Sequence, residues 1–171
     1  MKKLLIFAAS YIFLSPLAYS FDFKGISIGQ PSSPTQVEEK LGVRCGAGAS
    51  GMQVCNGNVT IARESASMNL VINANGVVRR INLSLSPKSF DIVAPLLIDK
   101  FGSPSSTKND VIQNRMGAKF EQVTHMWTDE AGNIVWYARY TGAIDKSLLS
   151  FTSKEERDLL QERRGSRTSD L

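Results

Sequence analysis

Gly117–Tyr140, GAKFEQVTHMWTDEAGNIVWYARY, holds the only histidine, both tryptophans and two of the four tyrosines of this 171-residue chain. Ile134, Trp136, Ala138 and Tyr140 alternate with Val135, Tyr137, Arg139 and Thr141, the period-two pattern of a half-buried strand. A partner strand is expected over Lys119 to Thr128. Its faces are Lys119, Glu121, Val123, His125 and Trp127 on one side, and Phe120, Gln122, Thr124, Met126 and Thr128 on the other. Asp129-Glu130-Ala131-Gly132-Asn133 between them supplies turn residues that tolerate positive φ. Arg139 marks the odd-numbered set as the solvent face, which then presents His125, Trp127, Tyr137 and Arg139. The competing reading places Trp127 and Tyr137 at core edges, because large aromatic side chains gain most from burial.

Upstream, Met1–Ser20 reads as a cleavable secretory signal peptide. Lys2 and Lys3 precede an apolar run from Leu4 to Leu14, and Ala18-Tyr19-Ser20 sets a cut after Ser20. The run is short for a membrane span. Export implies a periplasmic or secreted protein. The formal net charge of +4 includes both leader lysines, so nothing calls for nucleic acid or an anionic membrane as partner. Cys45 and Cys55 flank GAGASGMQV, and in an oxidising compartment they are expected to form a disulfide.

The remaining chain reads as helix and strands, twice. Phe21 to Ile28 alternates as an edge strand or extended arm. Ser33-Pro34-Thr35-Gln36 opens a short helix that Gly42 stops. Strands follow at Val59–Arg63, Asn69–Asn73 and Val77–Leu85, the last two joined by Asn75-Gly76. A second helix runs Phe90 to Phe101, with Pro95 either in its first turn or at a bend. Ser103 to Met116 reads as a long polar connection with a brief ordered patch at Val111-Ile112. After the main hairpin come a last strand, Ser147 to Ser153, and a solvated helix from Lys154 to about Arg164 that Gly165 ends. Lys40-Leu41-Gly42 and Lys100-Phe101-Gly102 mark corresponding points of the two halves, about 21–85 and 86–153. The expected fold class is α+β: an antiparallel meander sheet with helices layered on one face, built as a tandem helix-then-strands repeat.

The lead-in Gly25-x-x-x-Gly29, Gln36-Val37 through Leu41-Gly42, and Lys100-Phe101-Gly102-Ser103-Pro104 together resemble the SmpA/OmlA-like and β-lactamase-inhibitor-protein-like group of exported bacterial domains. The resemblance implies a helical layer on an antiparallel sheet, with the open sheet face gripping a partner protein. The SmpA/OmlA members are lipoproteins of outer-membrane barrel assembly, and this chain departs from them in lacking a lipid-anchor cysteine.

Catalytic motifs are sparse. A histidine-dependent site must use His125, and no G-x-S-x-G elbow, H-E-x-x-H or phosphate loop accompanies it. Glu121 and Asp129 lie four residues either side of it, far apart on a strand. No metal or cofactor is expected. The chain therefore reads as an exported, non-enzymatic, inhibitor-like protein-binding module. Its candidate binding residues are His125, Trp127, Tyr137 and Arg139, with Arg80 from the first half. The alternatives are a small periplasmic hydrolase using His125 and a structural envelope-assembly component.

Overall fold

A computed structural model describes residues 21–168. The proposed signal peptide lies outside the described residues.

The chain opens with a small hairpin of β1 (Asp22–Phe23) and β2 (Ile26–Ser27). Phe21, Phe23, Ile26 and Ile28 are all buried, so this arm belongs to the core rather than to an edge of the main sheet. Helix α1 (Pro34–Leu41) follows. The Ser33 hydroxyl accepts from the Gln36 N–H (3.1 Å), and Gly42 closes the helix in the left-handed region at φ 67°. The Gln36 side chain accepts from the Ser32 hydroxyl instead of returning to the Ser33 backbone.

Strands β3 (Arg44–Ala47), β4 (Gln53–Ile61), β5 (Glu64–Ile72) and β6 (Val78–Leu85) then form an antiparallel meander. Cys45 and Cys55 face each other across β3 and β4 and are bonded. Their loop is thus the end of a paired hairpin. Strands β4 and β5 run longer than the alternation suggested and meet at a two-residue turn, Ala62-Arg63, with both residues at positive φ. No Gly or Asn signals that turn. The Asn75-Gly76 turn lies between β5 and β6 as expected, with the Gly76 N–H donating to the Asn73 carbonyl (3.0 Å).

Helix α2 (Phe90–Phe101) begins after a single 3-10 turn and contains Pro95 in its interior, not in its first turn. Gly102 caps it, donating to the Ile98 carbonyl (2.8 Å). The expected polar connection is instead strand β7 (Ser106–Gln113), paired along its length with β8 (Lys119–Thr128). An edge strand with neither face covered needs no apolar alternation, so its sequence looks like a loop. Strands β9 (Ile134–Ala138) and β10 (Ser147–Thr152) complete a second meander. Helix α3 (Lys154–Thr168) starts with Ser153 accepting from the Glu156 N–H (3.2 Å) and runs through Gly165 instead of ending there.

All eight longer strands make one antiparallel sheet in the order β3-β4-β5-β6-β10-β9-β8-β7. The fold is α+β. Each half is a helix followed by a four-stranded meander, and the halves join through their last strands, β6 and β10. One sheet face is core. Met68, Leu70, Ile81, Leu83, Tyr137, Leu149 and Phe151 bury there against α1, α2 and the N-terminal hairpin. The other face is free of α1 and α2. Among the described elements α3 leans over part of it, and a groove of about 610 Å3 remains between Leu159, Leu160 and the sheet residues Val71 and Arg80.

Candidate functional site

Phe90, the first residue of α2, gathers most of the aromatic and charged groups singled out in the main hairpin. Tyr137 stacks on its ring at 4.7 Å and His125 at 5.6 Å. The Arg139 guanidinium lies 5.0 Å from the ring centroid and pairs with Asp91. Tyr137 is wholly buried. Burial pushes its phenol up to about 12, with neighbouring Ser147 opposing the shift. Ser147 donates its own proton to the Ala138 carbonyl (2.8 Å), and among the described residues the Tyr137 hydroxyl has no partner of good hydrogen-bonding geometry. Trp127 is also buried. Its Nε1–H donates to the Gly102 carbonyl (2.8 Å), tying the end of α2 to β8.

These positions correct the face assignment. Residues His125, Trp127, Tyr137 and Arg139 do share one face, but it is the helix-covered face and not the open one. The cause is the length of Arg139. Its guanidinium lies over the Phe90 ring and reaches on to Asp91 at the rim, so an arginine on this strand does not mark a solvent face. Trp127 and Tyr137 are core residues, as the competing reading had it. Arg80 does lie on the open side, where it pairs with Glu156 of α3 (3.3 Å). Its neighbour Arg79 is buried beneath the start of α3 and pairs with Glu155 and Glu156.

His125 is half-buried, and desolvation lowers its pKa below the usual 6.5. Its Nδ1 shares a hydrogen bond of 2.9 Å with the Thr107 hydroxyl of the edge strand. Asp91, the carboxylate of this cluster, is engaged by Arg139, and the imidazole's hydrogen bond is to the Thr107 hydroxyl rather than to a carboxylate. Among the described residues no group of three or more His, Cys, Asp or Glu side chains is placed to hold a metal.

The opposite face carries the even-numbered residues. Trp136 lies between Met126 of β8 and Ser150 of β10 in the pairing register, and Phe120 meets Tyr140 edge-on at 5.8 Å. Trp136, Met126, Phe120 and Tyr140 are half-buried. Beyond the end of β9, the Gln122 amide takes over as a pairing partner. Its Nε2–H donates to the Tyr140 carbonyl (2.8 Å), and its Oε1 accepts from the Tyr140 N–H (2.9 Å). On the first half of the sheet this face bears Asn56, Asn69 and Asn82, directly opposite one another. Their equal spacing of thirteen residues was the available sequence signal for this row. It is invisible to a search for catalytic motifs.

No protein-family model matches this chain, and no curated protein or solved structure does either. Among the described residues no helix is long and apolar enough to cross a membrane.

Proposed function

We propose that this is an exported, non-enzymatic protein-binding module, inhibitor-like in design, that takes its partner on the sheet face opposite α1 and α2, on the part that α3 leaves open. The observation that carries the reading is Trp136 at the centre of the second half of that face, with Met126 beside it and Phe120 and Tyr140 toward the rim. Trp, Tyr, Phe and Met are the side chains enriched in protein interfaces, since they bury large area on contact. The Cys45–Cys55 bond fits an oxidising compartment. The tandem plan supports the likeness to inhibitor-type domains.

Trp127 and Trp136 supply the test, because they lie nine residues apart on opposite faces. Trp136→Ala should keep the thermal midpoint and weaken partner binding by at least about 2 kcal/mol. Trp127→Ala should lower the midpoint by removing a buried indole. In-cell photocrosslinking from position 136 should trap a discrete partner, while crosslinking from exposed Leu96 on α2 should not. Equal trapping from both positions would refute the assignment of the face.

A further inference from the structure

The first half of the open face differs in chemistry from the second. A cavity of about 400 Å3 is walled by Asn56, Asn58, Ser67, Asn69, Asn82 and Ser84, with Leu148 at the seam between the halves. Each polar side chain in that wall is an amide or a hydroxyl that carries no charge at any physiological pH.

Strand pairing sets Asn56 opposite Asn69, Asn69 opposite Asn82, Asn82 opposite Ser150, and Ser150 opposite Trp136. One straight row therefore crosses β4, β5, β6, β10 and β9, with rungs about 4.8 Å apart. Arg44 of β3 stands at its far end, opposite Asn56. Two bonds hold the rungs in orientation. Asn69 Nδ2 donates to Asn56 Oδ1 (2.9 Å), and Ser150 Oγ donates to Asn82 Oδ1 (2.7 Å). An amide offers two N–H donors and an oxygen with two lone pairs. After those bonds the row still presents donors from all three asparagines and acceptors from their carbonyls.

The wall of the cavity offers an ion no counter-charge; Arg44 at the end of the row, and Arg80 and Glu156 in the adjoining groove that Asn69 also lines, stand outside that wall. A ligand that matches it is uncharged, alternates donors with acceptors, and has an apolar face for an indole. Those are the properties of a pyranose ring. We propose that this row binds an extended, neutral saccharide chain lying across the strands. One ring stacks on Trp136, and the hydroxyls of its neighbours bond to Asn82, Asn69 and Asn56. The saccharide and a protein partner would share Trp136, whereas Asn69 lies outside the aromatic patch assigned to the partner.

Calorimetric titration of the purified protein with cellohexaose and with chitohexaose tests this. Saturable binding of at least one is expected, weakened about tenfold by Asn69→Ala, the loss that corresponds to a net pair of neutral hydrogen bonds. Trp136→Ala should weaken it at least as much. Asn69→Ala should leave the thermal midpoint and protein crosslinking unchanged, which separates this site from the protein-binding reading. No heat from either hexasaccharide up to about 10 mM, an affinity too weak to be specific, overturns the proposal. So does binding that survives Asn69→Ala undiminished. Where Trp136→Ala lowers the midpoint, the Asn69 variant decides.

Discussion

Leu83 of β6 faces Leu149 of β10 across the seam where the two four-stranded halves meet, and both side chains are fully buried. The halves share one core through this pair and its neighbours Ile81 and Phe151. Leu149→Ala should cost about 2–5 kcal/mol through lost burial and the cavity left behind. Unfolding should remain a single transition, with amide protection falling in β5 as well as in β9. Protection in β5 that stays at the wild-type level would show that the halves fold independently.

Ala62 and Arg63 turn the β4–β5 hairpin with φ of 52° and 68°. A Cβ disfavours that region by about 1–2 kcal/mol per residue, partly offset by the chain entropy that glycine loses on folding. Arg63 is exposed. Arg63→Gly should therefore raise the thermal midpoint by about 1–3 °C, given the shift expected per kcal/mol for a chain of this size. Arg63→Val, β-branched at the same φ, should lower it. Calorimetric scans of the two variants check both signs.

His125 has a folded-state pKa below its unfolded value of 6.5 because burial against Phe90 disfavours the imidazolium. Below pH 6.5 the unfolded chain binds a proton that the folded protein resists. Stability from this group is thus complete above pH 6.5 and is lost as pH falls through the folded pKa. Proton NMR should give a His125 midpoint below 6.5. Phe90→Ala, which opens the imidazole to water, should return the midpoint toward 6.5.

The Cys45–Cys55 bond closes a ten-residue separation between facing strand positions. Replacing both cysteines by serine should lower unfolding free energy by about 2–3 kcal/mol, chiefly by freeing the unfolded chain. Urea midpoints of the oxidised protein and the double variant measure the difference. Thiol titration of the unfolded, unreduced protein should find no free thiol.

Where an element depends on its own few residues, the sequence alone determined it. Ser33 and Gly42 bound α1, Phe90, Val93 and Leu97 trace the buried stripe of α2 with Phe101 partly buried at its end, and Ser153 opens α3, because caps and helical spacing act within a turn or two of backbone. The turn from Asp129 to Asn133 was legible for the same reason. There the Asn133 N–H donates to the Asp129 carboxylate (2.8 Å), and Gly132 takes φ 80°. Only the tertiary structure decided what those elements face. Strand β7 exists because β8 offers it a ladder, and no pattern within Ser106–Gln113 records that partner. Alternation separated the two faces of β8 and β9 correctly but could not say which one α2 would cover. Phe90 decided that by stacking on Tyr137, and Arg139 followed it to the buried side with its charge carried out to Asp91 at the rim. The asparagine row likewise depends on register: thirteen residues of chain separate neighbours that pairing across two hairpins brings side by side.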